Sequence, residues 1–597
     1  MKRGNITAWK DLESCNNLLL FAELINEMLF DYSIPSNRIS TLNSHYLCND
    51  ALQTIRTIEN NGVPQGTLTP IIEELYDALS KDVVFQLSGE NPLRFFLKSK
   101  GDRFRISTLP SELNLEESKK VVKTLNARFF SGNWYLNELQ KIITELVRNN
   151  KKSDWLLLFR ATKSYLTELI NKGYNTRYVY ETAEAFFFSE NSTIDSPDVI
   201  NSFFEKLKCE SKTFNVVFVV KQRFTKFTRM YEALQLKETI EEKTHTDSEK
   251  AFLKKQKDQL FLEIKRTAFD PYSAAIKARS LINDNIAFYR ICDHNFSYSI
   301  DKAPCGVYSE DNRFYRVTDF MSPLLKTKMP AEAKIKSVIE RVEKAMDEVS
   351  TPQKMQEFLG FINASNFHSL SLDSHSNKNQ LLDLWAIIET LLNVSNEHTA
   401  DRIHLICQRL IPILRKTYFP SIFYQLSNDI KNYDEEEYKA IIGNETDEGR
   451  IIEEVSFFTL LDEKAEERNA FLEKCADYPL LVERINYYNE MLNTPYKIYG
   501  FVEKHCTRVK WQLMRIYRNR NMIIHNGQSM PYLSLLIENL HSYVDDLLSC
   551  TLQAYSEGKT FETMCQELYC DECEWIETFG SRRATENTKE IIKQALA

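Results

Sequence analysis

Apolar residues recur at spacings of three and four over long windows of this chain, among them Leu136 to Leu146 and Trp155 to Ile170, and that period fits a helix and not a strand. Glycine points the same way. Only 15 of 597 residues are glycine, and neither a GxxxxGKS/T nor a GxGxxG run occurs, so the loops that cradle nucleotide phosphates in ATPases and dinucleotide enzymes are missing. The expectation is a mainly α protein of about two to four domains, since one core stops growing well below this length.

The first 210 residues read as a helical domain. A different texture begins near Phe214, where FNVVFVV is short, β-branched and aromatic. A second cluster, Ile286 to Val317, has alternating segments broken by Asp, Asn and Gly and suggests further strands. Between them, Lys237 to Arg266 is rich in charges of alternating sign and is expected to form a solvated helical hairpin. Asp270 and Pro271 match an N-cap followed by proline in the first turn of a helix. Residues 211–325 are therefore expected to form a small α+β domain, with Ser322 to Pro330 as a boundary and 326–374 as a linker or helical connection.

Residues 375–557 return to strong helical patterning, and 558–597 form a tail. In the helix expected after Pro531, Leu533, Leu536, Ile537, Leu540, Val544, Leu547 and Leu548 make one apolar stripe that must be buried. Just before it lies Arg520-Asn521-Met-Ile-Ile-His525-Asn526-Gly527. Of the ten histidines, His525 is the one with an arginine five residues earlier, and Asn526-Gly527 marks a helix end. On a continuous helix five residues turn through about 500 degrees, which leaves Arg520 and His525 about 140 degrees apart. They meet only if the helix breaks near His525 or if a second copy of the chain supplies its own pair across a two-fold axis.

RNxxxHNG followed by a long amphipathic helix, and preceded by LWAIIETLL at 384–392, resembles the HEPN superfamily, in particular its Apea-like HEPN branch. The resemblance covers about 375–555, so it implies a C-terminal HEPN-type helical bundle behind N-terminal regions that serve as a sensor. It also implies an endoribonuclease that needs no metal or cofactor. RNA carries its own nucleophile, the 2'-hydroxyl, so the protein need only hold the phosphate, neutralise charge and move a proton. The products are then a 2',3'-cyclic phosphate and a 5'-hydroxyl. Arg520 would grip phosphate oxygens, because guanidinium stays protonated and binds two at once. His525, with a reference pKa of about 6.5, would move the proton. Asn521 would orient His525 or the phosphate, and Glu389 would position Arg520 or tune His525. Arg515 and Arg518 would steer phosphate, Tyr517 would stack on a base, and Asn526 would contact RNA.

The partners implied are RNA, with tRNA among them, a second copy joined through the HEPN domain, and a phage-derived or protein trigger at the N-terminal domains. By analogy the role is that of a toxin-like effector in prokaryotic antiviral defence by abortive infection. The other reading is a non-catalytic HEPN module that binds RNA or protein as a scaffold, in which His525 merely caps a helix end. A net charge of -9 argues against a generally basic RNA-coating surface, though not against a local patch. Twelve scattered cysteines, with no signal peptide or membrane-length apolar run, are expected to be reduced thiols in a cytoplasm. Cys565, Cys570 and Cys573 are spaced like part of a zinc site, but Cys550 is a distant fourth, so no metal is expected there. The acidic run Asp434 to Glu437 points around a helix and is expected to be solvated.

Overall fold

The computed structural model describes residues 4–596 except 8, 30–41, 61–63, 98, 101–102, 105–109, 191, 222–234, 255–258, 295–303, 318–331, 375, 393–398, 529, 531 and 581–586. The chain is mainly helical, 74% helix against 7% strand, and its described residues include a small antiparallel sheet of five strands and a two-stranded pair, Ser99–Lys100 with Arg103–Phe104. The two windows with the clearest period are helices, Trp134–Asn149 and Trp155–Lys172. Among the described residues no helix is long and apolar enough to cross a membrane.

The N-terminal helices that bear on the site are α1 (Asn16–Leu29), α2 (Ser44–Glu59) and α3 (Thr69–Lys81). The sheet comprises β1 (Lys212–Lys221), β2 (Gln235–Lys237), β3 (Gln259–Ala268), β4 (Cys305–Tyr308) and β5 (Phe314–Val317), in the order β2-β3-β1-β4-β5. FNVVFVV lies in β1, as its composition implies, with Phe218 opposite Leu262 on one side and Cys305 on the other. Helix α4 (Pro271–Cys292) starts as anticipated, with the Asp270 carboxylate accepting from the Ser273 amide at 2.8 Å. It covers one face of the sheet with Ala274, Ala275, Ala278 and Ile282, while Phe252 covers the other.

The helical hairpin expected over Lys237 to Arg266 is replaced by one short helix, Asp247–Leu253, and the long strand β3. The reason is burial on both faces: Leu262 and Ile264 pack on the α4 side and Phe261 on the other, so the apolar residues run together and hide a period of two. Ile286 belongs to α4, not to a strand. The boundary proposed at Ser322 to Pro330 lies outside the described residues.

The C-terminal part contains α5 (Pro352–Asp373), α6 (Asn377–Leu391), α7 (Thr399–Tyr433), α8 (Pro479–Leu492), α9 (Pro495–Asn526), α10 (Leu533–Ser556) and α11 (Phe561–Phe579). From Glu332 on, the segment 326–374, expected as a linker or helical connection, holds two helices, Glu332–Asp347 and α5, which pack against α10 and α6. The tail after 557 also packs, with Phe579 and Ile592 almost fully buried. The α10 stripe is buried at Leu533, Leu536, Ile537, Leu540, Val544 and Leu547, each contributing about 1.5–3 kcal/mol. Leu548 is partly buried beside it.

N-terminal and C-terminal helices share one continuous apolar core. Buried charges fasten the two together. The Leu480 amide donates to Glu23 at 3.0 Å, and Arg484 pairs with Glu27 at 3.2 Å and with Asp429. Burial works against the Arg484 charge, and the two carboxylates outweigh it.

Candidate active site

Helix α9 runs unbroken through Arg520 and His525 to Asn526 and stops at Gly527, whose φ of 64° is the left-handed conformation that glycine adopts without strain. The Gly527 amide donates to the Ile523 carbonyl, and the Lys378 ammonium donates to the Gly527 carbonyl at 2.6 Å. A cation therefore sits at the negative end of the helix dipole. Asn519, buried below, donates to the Arg515 carbonyl and accepts from the Met530 amide, which pins the following loop to the helix.

Arg520 faces α6. Its Nη2 donates to Glu389 Oε2 at 3.3 Å and its Nη1 to Asn521 Oδ1 at 3.0 Å. Glu389 also faces Arg402 of α7, with Nη1 at 3.7 Å from Oε1. One carboxylate thus lies between two guanidiniums, and all three side chains keep about a fifth of their surface in water. Arg402 carries no motif that sequence reasoning could have used. Its place follows only from the packing of α7 beside α6.

His525 lies about 140 degrees further round the same helix, exposed to solvent. Of the two routes by which it could meet Arg520, a break in the helix is therefore excluded. The structure brings Arg520, Asn521 and Glu389 together within one chain and sets His525 apart from them, facing outward. Asn526 ends the helix, and its side chain lies outside the described part of the structure.

Three expected RNA contacts are corrected. Arg515 and Arg518 do not reach solvent. They point into the protein, where Asp50 of α2 accepts from Arg515 Nε at 3.2 Å and from Arg518 Nη2 at 2.7 Å, and Glu74 of α3 accepts a second Arg515 bond. The Tyr532 hydroxyl donates to the other Asp50 oxygen at 2.8 Å. Burial pushes the Asp50 carboxyl up, but Arg518 and Arg515 outweigh it and hold it below its ordinary value. For Glu74 burial wins and the carboxyl is raised. Tyr517 is also buried, its ring against the Trp385 indole at 5.6 Å, so it offers no free face to a base.

The spaced cysteines ride on one helix, α11. Cys570 and Cys573 are exposed and Cys565 is turned inward, and among the described residues they form no ligand group. Asp434 caps a helix by accepting from the Glu436 and Glu437 amides, and the acids after it lie in the first turn, where the dipole favours them. Compared with models of protein families, with curated proteins and with solved structures, the chain matches none.

Proposed function

We propose that the protein is a metal-independent endoribonuclease of HEPN type, working as a pair of chains in which Arg520 and His525 from two copies converge on one phosphodiester. The observation that carries this reading is the solvent-open end of α9, where a guanidinium held by Glu389 and Asn521 and an exposed imidazole occupy different faces. In one copy they cannot act on the same phosphate. Two copies related by a two-fold axis bring both residue types to a shared groove. Arg520 then binds phosphate oxygens, held in place by Glu389 and Asn521, and His525 exchanges the proton of the 2'-hydroxyl or of the leaving oxygen.

As a biological role we propose an antiviral effector whose N-terminal helices sense a trigger. The salt-bridged seam from Asp50 and Glu74 to α9 supports that coupling, because a shift of α2 or α3 must move the helix that carries the reacting residues. The test is incubation of the full chain with total RNA in a chelator. Cleavage leaving 2',3'-cyclic phosphate ends, lost in a folded His525→Ala variant, supports the nuclease. Binding without cleavage, unchanged by that variant, supports the scaffold instead.

A further inference from the structure

Away from Arg520 and His525, two imidazoles and a carboxylate meet where α5 crosses α10. His368 Nε2 lies 3.1 Å from His541 Nε2 and 3.3 Å from Asp545 Oδ1, and His541 Nδ1 lies 3.2 Å from Asp545 Oδ2. One donor atom from each residue falls within 4.8 Å of the others. We propose that His368, His541 and Asp545 form a binding site for a zinc-class divalent cation, which clips α5 to α10.

Spacing, ligand chemistry and access carry the proposal. Ligands about 2.0–2.1 Å from a tetrahedral ion are separated by about 3.3 Å, which is the separation found between His368 Nε2 and its two neighbours. Two imidazoles with one carboxylate suit zinc, cobalt or nickel better than magnesium or calcium, which take oxygen ligands. His541 and Asp545 are four apart on one helix, so both project on the same side, and His368 comes from the facing helix. The two rings lie 5.1 Å apart at 24°, which presents their edges together. Access is graded. The His541 side chain keeps 11% of its surface, His368 23% and Asp545 48%, so the cluster has an inner wall of imidazole and an open side where water can complete the coordination. Ser371 and Gln380 steady this end of α5: the Ser371 hydroxyl donates to the His368 carbonyl, and the Gln380 amide donates to the Ser371 carbonyl.

The clip does not depend on the nuclease reading, since it uses other residues and needs no RNA. The measurement is titration of the metal-stripped full chain with Zn2+, and with Co2+ to read visible absorption. It is carried out in a Cys570→Ser/Cys573→Ser background because those exposed thiols bind the same ions. The expected result is one equivalent bound, with affinity falling at least about ten-fold in His541→Gln and again in Asp545→Asn. Zinc should also raise the thermal midpoint of the parent and not of these variants. Asp545→Asn is nearly isosteric at a half-exposed position and keeps the fold if His541→Gln does not. No stoichiometric binding, or binding that both variants leave unchanged, overturns the site and leaves a hydrogen-bonded His-His-Asp chain only.

Discussion

Replacing Asp50 by alanine tests the seam between the N-terminal helices and α9. The carboxylate serves three donors: Arg515 at 3.2 Å, Arg518 at 2.7 Å and the Tyr532 hydroxyl at 2.8 Å. Its side chain is fully buried, and those of Arg515 and Arg518 keep only 3% and 5% of their surface. Arg515 retains Glu74 after the substitution, whereas Arg518, buried, loses the carboxylate it is paired with. Removing one partner of a buried pair costs about 3–5 kcal/mol, against about 0–1 kcal/mol for an exposed pair such as Lys81 with Asp77. Chaotrope unfolding followed by circular dichroism, with Asp77→Ala as control, should show the first transition at much lower denaturant in Asp50→Ala alone. Adding Arg518→Met should recover part of the loss, because the stranded charge is then removed, with a coupling of about 0.5–3 kcal/mol. If Asp50→Ala behaves like the control, or the double variant is additive, the seam does not hold the two regions together and the proposed route from sensor to α9 fails.

Arg515→Met is expected to lower stability, and in RNA-binding assays the salt dependence should stay as in the parent, since a buried arginine releases no counterions from RNA. Gly527→Ala should cost about 1–2 kcal/mol, because the added Cβ meets nothing and only the positive φ is strained; cleavage should fall with it as the helix end carrying His525 frays. Arg402→Ala removes a mostly shielded partner of Glu389 and is expected to reduce cleavage through kcat, with a change in unfolding midpoint too small to explain the loss. Acid should destabilise the protein through His505, whose ring stacks on Tyr418 at 3.5 Å. Burial, with Arg508 adding to it, lowers its pKa to about 3. The unfolded chain therefore takes up a proton that the folded chain refuses, and stability falls as pH drops from about 6.5 toward that value. His505→Gln should flatten this limb of a midpoint-against-pH curve.

What the sequence made legible was local. The end of α9 at Asn526-Gly527, the cap at Asp270-Pro271, the α10 stripe and strand β1 each follow from residues close together in the chain. What it hid was remote. Arg515 and Arg518 looked like surface cations beside a motif because their partners lie 441 to 468 positions earlier, and no local pattern announces such a pairing. Glu389 beside Arg520 was reached through a resemblance between separated segments, whereas Arg402 had no comparable signal. Strand β3 has the look of a helix in sequence because its charged residues sit beside an apolar run buried on both faces. The cluster of His368, His541 and Asp545 joins two helices through histidines 173 positions apart, and no local pattern announces it.

The central claim is that an arginine of one copy and a histidine of another serve one phosphodiester. Co-expressing Arg520→Ala and His525→Ala chains with different tags, isolating the mixed pair and measuring RNA cleavage tests it directly. Each homogeneous variant should be inactive, while the mixed pair, which rebuilds one Arg520–His525 site out of two, should recover up to about half of the parent rate. A mixed pair as inactive as either variant alone would contradict the shared site.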